Sequence, residues 1–422
     1  MQVFKFGGAS VKSAENIRNV ATIIDTYKVN GLLVVVSAIG KTTNKLSEVV
    51  DRYFHREGDP FEALEQVRSE HLSILHDLFA DKNHPIFDDV VNTLVEAEWI
   101  LEEEPQDAYD YLYDQIVSLG EILSTKIIAA YCQHVGFAIR WVDARDYIFT
   151  DNRYMEGTVD WAKTEDKIRR DIPTILEKEI IITQGFIGST SENFTTTLGR
   201  EGSDYSAAIF ASCLRAQDLT IWKDVPGVLN ADPKWFNETE LIPELSYTDA
   251  IELTYYGATV IHPKTIKPLQ NTQIPLNVRS FLDPTQPGTQ IRATHQTLPI
   301  PSFIFKVNQV LVNIQPLDFS FIVEDNLGHI FNTFHQNRIK VNMMHNSAIS
   351  FCVSIDDTGE NVWQLMEDLQ KRYKVSVSAG LELITIRYYN QQTIDRVLVG
   401  KEIVRELKDS YTCQMLVKKK DE

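Results

Sequence analysis

Apolar positions in the first forty residues follow two rhythms. Val3, Phe4 and Phe6 mark a short strand over residues 3–6, whereas Ile17, Val20, Ala21 and Ile24 recur at helical spacing and share one face. Leu32-Leu33-Val34-Val35-Val36 is apolar on both faces, the pattern of a strand inside a parallel sheet. Gly7 and Gly8 break the first strand, Ser13 is placed to cap the helix with Glu15 in its first turn, and Gly31 ends it. This is a βαβ unit opening an α/β domain. Residues 45–134 read as mainly helical, with Glu102-Glu103-Glu104 on a solvated face. Strand signals return at 138–142, 180–183, 219–222 and 276–278, with helices between them, as at 203–214.

Proline and polar residues then gather at Asp283-Pro284-Thr285-Gln286-Pro287-Gly288 and at 297–301, which predicts a domain boundary. The expected domains are 1–290 and 302–422. The second reads as strands at 310–314, 341–344, 349–355, 383–388 and 412–417, with helices near 326–337, 360–373 and 391–407. That is an α+β pattern of ferredoxin-like type. The expected fold class is therefore α/β, with a mainly parallel sheet in three layers, followed by a smaller α+β region.

The 422 residues, 43% of them hydrophobic, suffice for about two or three domains. A net charge of −18 disfavours nucleic acid or an anionic membrane as partner. A polyanionic substrate would need a local cluster of positive groups. Cys132, Cys213, Cys352 and Cys413 lack metal-ligand spacing, so no metal site is expected, and scattered thiols suit the cytoplasm. No signal peptide is read at the N-terminus, and the longest apolar run, 32–39, is too short to span a bilayer.

Six segments could carry chemistry. In Lys5-Phe6-Gly7-Gly8-Ala9-Ser10 the glycines let backbone N–H groups approach phosphate, and Lys5 would neutralise charge on a transferring phosphoryl group; by itself such a pair after a strand is more often a plain turn. It is not a Walker A loop, since the lysine precedes the glycines. Ser37-Ala38-Ile39-Gly40-Lys41-Thr42-Thr43-Asn44 follows the second strand, at the sheet edge where ligands bind, or is a loop without a role. Glu121, in Ser118-Leu119-Gly120-Glu121-Ile122-Leu123-Ser124, either needs a positive partner or sits on a helix surface. The densest run is 195–208. There Arg200 can take a carboxylate in a bidentate pair, and Asp204 can orient a lysine or a magnesium-nucleotide. Lys223-Asp224 before Pro226-Gly227 is a nucleotide-binding loop or an ordinary turn, and His262, before Pro263 and Lys264, reads as structural.

Taken in this order, the segments resemble aspartate kinase of the amino-acid kinase family over about residues 1–292. Lys-Phe-Gly-Gly-Ala-Ser, Ser-x-Gly-Glu-x-x-Ser (118–124), Gly-Arg-x-Gly-Ser-Asp-Tyr (199–205), the 222–227 stretch, Gly-Ala-x-Val-x-His-Pro (257–263) and Val278-Arg279-Ser280 with Pro287-Gly288-Thr289 carry the likeness. The resemblance implies transfer of the γ-phosphoryl of Mg-ATP to the β-carboxylate of L-aspartate, the first step toward lysine, threonine and methionine. It implies ATP and Mg2+ as cofactors and Lys5, Gly8 and Asp204 as catalytic groups. Aspartate would be held by Thr43, Glu121, Phe186, Arg200 and Ser203. The nucleotide would meet Lys5, Gly7, Gly8, Ser10, Ser37, Lys223, Asp224, Leu229, Lys234, Thr259 and Lys264. Glu201, Thr259 and Leu229 depart from common family residues near ATP.

The C-terminal part resembles the paired ACT regulatory module of such enzymes, the second copy shortened, with Leu327, Asn342 and Ser347 at effector-binding positions and lysine or threonine as possible effector. A monofunctional, cytoplasmic homodimer or higher homo-oligomer is expected. The alternatives are a non-catalytic amino-acid sensor and a kinase acting on a glutamate derivative.

Overall fold

The computed structural model describes all residues except Val29, Asn237, Thr259, Val260, 295–298, Phe319 and 421–422. The chain divides into two compact units. Met1–Val228, Pro243–Ile251 and Val260–Thr297 form the first; Leu229–Ile242, Glu252–Thr259 and Leu298–Glu422 form the second.

In the first unit the strands are β1 (Gln2–Phe6), β2 (Leu32–Val36), β3 (Ile139–Trp141), β4 (Ile180–Gln184), β5 (Ile187–Ser189), β6 (Thr195–Thr197), β7 (Leu219–Lys223), β8 (Glu244–Ser246), β9 (Leu276–Ser280) and β10 (Thr289–Arg292). Eight of them form one sheet in the order β3-β4-β2-β1-β7-β9-β10-β8. Pairing is parallel except between β9 and β10. Every residue of β2 is buried, as its two-sided apolar pattern requires. Phe6 pairs with Val36 and Trp222, and Val36 with Gln184, so β1, β2, β4 and β7 end level. The loops that follow these four strands therefore open on one edge of the sheet.

Ser13 caps the helix Ala14–Tyr27 by accepting from the Asn16 backbone N–H. Ile17, Val20, Ala21 and Ile24 lie in the core. Five helices, Thr42–His55, Pro60–Leu78, Ile86–Glu102, Tyr109–Val117 and Leu119–His134, fill the span read as helical. The short strands β5, β6, β8 and β10 were not expected. Segments of three or four residues such as Ile-Gly-Ser and Thr-Thr-Thr carry too little alternation to be read.

The second unit holds β11 (Ser302–Pro316), β12 (Val341–Asn346), β13 (Phe351–Asp356), β14 (Tyr373–Arg387), β15 (Lys401–Lys408) and β16 (Thr412–Lys419). They form an antiparallel sheet in the order β12-β13-β11-β14-β16-β15. With the helices Glu324–Gln336 and Glu360–Gln370, the first four strands make a βαββαβ motif, as the ferredoxin-like expectation requires. Register shifts at Gln309 divide the β11–β14 pair. Val310, Val312 and Ile314 face one core and Phe303, Ile384 and Ile386 another, so one long strand serves two small cores.

One element is corrected. The helix expected over 391–407 stops at Val397, Gly400 turns the chain with φ 70, and Lys401–Lys408 is an edge strand paired with β16. Val404 and Leu407 imitate a helical stripe, but pairing with the buried strand β16 prevails over that local signal. The charged side chains of β15 suit an exposed edge.

Candidate active site

The loops beyond β1, β2, β4 and β7 surround a cavity of about 700 Å3. Lys5 ends in it from β1, followed by Gly7, Gly8 and Ser10. Gly8 is required by close approach: a Cβ there would stand 2.7 Å from the Ala38 carbonyl oxygen and 2.8 Å from that of Gly40. The β1 and β2 loops are also tied by the Gly40 N–H donating to the Gly8 carbonyl at 3.0 Å. Gly8→Ala is expected to cost about 1–3 kcal/mol by forcing these backbones apart; thermal unfolding of the purified variant measures it. Ser37 and Thr43 line the same wall.

The helix Gly202–Leu214 supplies Ser203 and Asp204 from its first turn. Asp204 is fully buried, with Lys5 Nζ at 2.6 Å and Lys223 Nζ at 3.3 Å. Burial alone would raise its carboxyl, but the two lysines outweigh burial and hold it below the usual carboxylate range. A buried carboxylate thus fixes two ammonium groups at the sheet edge. Asp224, exposed, lines the cavity beside them.

Glu121 projects from the first turn of the helix Leu119–His134 and is buried, so the helix-surface alternative falls. Its Oε2 has no hydrogen-bond partner. Burial pushes its carboxyl up to about 8, only partly offset by Lys5 and the Ala38 backbone. Such a group is costly unless a cation or donor arrives to meet it. Arg200, exposed in the turn before the helix Gly202–Leu214, lines the same cavity. Phe186 is held there at φ 71, its N–H donating to the Ser206 hydroxyl at 2.9 Å. Glu201 also stands in the left-handed region, at φ 56, exposed on the cavity wall.

Thirteen expected residues therefore line one cavity, namely Lys5, Gly7, Gly8, Ser10, Ser37, Thr43, Glu121, Phe186, Arg200, Ser203, Asp204, Lys223 and Asp224, while Lys264 does not line it but has its Nζ beside the Gly199 turn. His262 accepts from the Lys264 backbone N–H at the start of the helix Pro263–Thr272, a capping role. Leu229 and Lys234 belong to the second unit, where Leu229 bridges to Leu241 and Lys234 is exposed. Thr259 lies outside the described residues. Tyr113, Met155, Glu156, Thr197 and Trp222 line the cavity without having been singled out as contacts. Thr197 and Trp222 fall inside motifs already noted, but nothing local marks Met155 or Glu156.

In the second unit, Leu327 packs against the core around Val312. Asn342 is buried and internally satisfied. Its Oδ1 accepts from Lys306 Nζ at 2.7 Å, and its amide donates to Gln309 Oε1 at 3.0 Å and Asp356 Oδ1 at 2.9 Å. Ser347 closes a turn with Ser350. Among the described residues, no cluster of three or more His, Cys, Asp or Glu could hold a metal ion, and no helix is long and apolar enough to cross a membrane.

Residues 1–280 match the model of the amino acid kinase family. The chain is 30% identical over 394 residues to lysine-sensitive aspartokinase 3 of Escherichia coli (strain K12), covering 91% of this chain and 86% of that protein. It is 31% identical over 393 residues to the chloroplastic bifunctional aspartokinase/homoserine dehydrogenase 2 of Arabidopsis thaliana; this covers 90% of the chain but only 42% of that longer protein. Among solved structures, Escherichia coli aspartokinase III in complex with aspartate and ADP superposes with a TM-score of 0.83 at 27% identity, covering 99% of this chain and 96% of that one.

Proposed function

This chain belongs to the amino acid kinase family, within which it groups with the aspartokinases, and we propose that it is an aspartate kinase, forming 4-phospho-L-aspartate from L-aspartate and Mg-ATP. The observation that carries the reading is a buried Glu121 carboxyl whose Oε2 has no hydrogen-bond partner, sharing one cavity with the Lys5–Asp204–Lys223 cluster. A cationic group and a polyanion are both provided for in the same space. The aspartokinase solved with aspartate and ADP supports that pairing of ligands.

In this reading Glu121 takes the α-ammonium of aspartate and Arg200 grips the α-carboxylate in a bidentate pair. Thr43, Phe186 and Ser203 complete that end. The β-carboxylate is already ionised at neutral pH and needs no general base. Its oxygen forms the new bond to the γ-phosphorus, while the bond to the β,γ-bridging oxygen breaks and its electron pair leaves with ADP. Lys5, with the backbone N–H groups of Gly7 and Gly8, stabilises charge on the transferring group. Asp204 keeps Lys5 and Lys223 in place. Ser10, Ser37 and Lys264 are assigned to the nucleotide. Since Asp204 is engaged by two lysines, Asp224 would be the carboxylate left to meet magnesium brought with the nucleotide, and the ion would neutralise phosphate charge. Incubation with L-aspartate, Mg-ATP and hydroxylamine should yield ADP and aspartyl hydroxamate; absence of the hydroxamate overturns the proposal.

A second reading, an amino-acid sensor without turnover, is favoured by one observation: Glu201 brings a carboxylate to a cavity meant for a polyanion. Calorimetry with a non-hydrolysable ATP analogue separates the two, since sub-millimolar binding counts against the sensor. Under the kinase reading, Glu201→Gln is expected to lower the ATP KM by about twofold, an effect of the size usual for an exposed charge and fading as salt rises. KM values at low and high ionic strength test this.

The expected domains 1–290 and 302–422 are proposed as a catalytic domain and an ACT-type regulatory and dimerisation region. The βαββαβ motif supports the second assignment. Lysine or threonine is the proposed effector class, and the hydroxamate assay repeated with each, alone and together, decides it.

A further inference from the structure

One fully buried acid in the first unit lies outside the chemistry assigned above. Asp114 sits on the helix Tyr109–Val117. Its Oδ2 accepts from the backbone N–H of Met155 and from that of Thr197, each at 2.8 Å. Its Oδ1 accepts from the Thr197 hydroxyl at 2.7 Å. Asp114 itself does not line the cavity, but both of its partners do.

What it holds is strained. Met155 is in the left-handed region at φ 64, where a long side chain seldom rests unless its surroundings impose it. Two residues on, the Gly157 N–H donates to the Thr197 carbonyl at 2.8 Å, so the 155–157 loop is stitched to β6 on both sides of Glu156. That loop is packed on the turn carrying Arg200: a Cβ on Gly199 would stand 3.3 Å from the Met155 carbonyl oxygen and 3.4 Å from Glu156 Cγ. A chain of contacts thus leads from Asp114, through Met155 and Glu156, to the turn that presents the guanidinium.

We propose that Asp114 is a positioning residue for aspartate, pinning the Met155–Gly157 loop to β6 and thereby setting the turn that carries Arg200. The inference rests on reading the cavity as an aspartate site. The ionised carboxylate accepts from all three partners; a protonated acid keeps Oδ2 for the two N–H groups and can donate from Oδ1 to the Thr197 hydroxyl, so the brace needs the carboxyl shape more than its charge. Burial lifts this carboxyl to about 6, against the pull of the Thr197 and Met155 hydrogen bonds and with a further push from Asp110. The titratable groups facing it are Asp110 and Tyr113 on its own helix and Tyr154 on the loop. Protonation therefore reverses the direction of the bond to the Thr197 hydroxyl and leaves both N–H bonds of the brace in place.

The test uses the full chain, with steady-state kinetics in both substrates. Asp114→Ala is expected to raise the aspartate KM about tenfold or more, the scale of one lost buried hydrogen bond, and leave the ATP KM within about twofold. Asp114→Asn keeps an acceptor for the two N–H groups and can donate to the Thr197 hydroxyl, so at pH 8 it should restore the aspartate KM to within about threefold of wild type. On the acid side, kcat/KM for aspartate should fall alike in wild type and Asp114→Asn, since the proton that opposes aspartate is taken up by Glu121. If Asp114→Ala does not fold, Asp114→Ser takes its place with the same expectations. With an active wild type, the positioning role alone is overturned if the truncated variant matches wild type, if both KM values rise together, or if Asp114→Asn leaves the aspartate KM as high as the truncation does. A folded wild type without aspartate-dependent turnover overturns the aspartate reading and the positioning role with it.

Discussion

Lys5→Met is expected to lower kcat by about two to three orders of magnitude, the loss typical when one preorganised donor to a transition state is removed. The expectation follows from where Lys5 is held. Its ammonium is nearly buried, 2.6 Å from a fully buried carboxylate, at the end of a central strand. It cannot swing away, so it is in place before the phosphoryl group moves. Under the kinase reading Lys5 serves the transferring group, so kcat should fall more than the aspartate KM changes, the smaller effect on KM coming through its influence on Glu121. The variant should also melt lower, since removing one member of a buried ion pair leaves Asp204 with Lys223 as its cationic partner. Stopped-time ADP release with calorimetric unfolding measures both effects. A kcat within a few-fold of wild type would remove Lys5 from the chemistry.

Glu121→Gln carries the second large expectation. A charge-assisted hydrogen bond is worth about 1.5–3 kcal/mol, so kcat/KM for aspartate should drop by about one to two orders of magnitude. Stability should move the other way. In the free protein Glu121 has its carboxyl raised to about 8, above its unfolded value, because burial penalises the charge. The folded state therefore holds a proton that the unfolded chain releases, and stability declines as pH rises from about 4.5 toward 8. A neutral glutamine avoids that decline, so Glu121→Gln should melt higher than wild type at pH 8 and match it more closely at pH 5. Aspartate reverses the balance by bringing a positive charge to the carboxylate. Its binding near neutral pH should thus release a proton, visible as a dependence of the calorimetric heat on buffer ionisation enthalpy. Loss of that release in Glu121→Gln would tie it to this residue, whereas unchanged proton release would exclude Glu121 as the ammonium partner.

Much of this arrangement is local and was legible in order along the chain. The Ser13 cap, the glycine break after β1 and the five apolar residues of β2 are written in neighbouring residues, and each forms as expected. Glycine pairs and capping residues act over a few positions, so pattern alone reveals them. The segment 391–407 shows the opposite case. Its apolar spacing reads as one helix, yet its last part is a strand because β16 lies ready to pair with it. The hydrogen bonds of Asn342 to Lys306, Gln309 and Asp356 on neighbouring strands are likewise set by tertiary pairing and have no local signal.

The sequence by itself determined which segments carry the site and in what order, since hydrophobic rhythm, caps and glycine breaks depend on near neighbours. It also marked Lys5, Glu121, Arg200 and Asp204 as residues out of keeping with plain loops or helix faces. Only the tertiary structure decided that Lys5 and Lys223 share Asp204, that Glu121 is buried with its Oε2 unmet, and that Asp114 braces Met155 and Thr197. These depend on desolvation and on contacts between residues far apart in the chain, and charge placed in a buried setting acquires its meaning there.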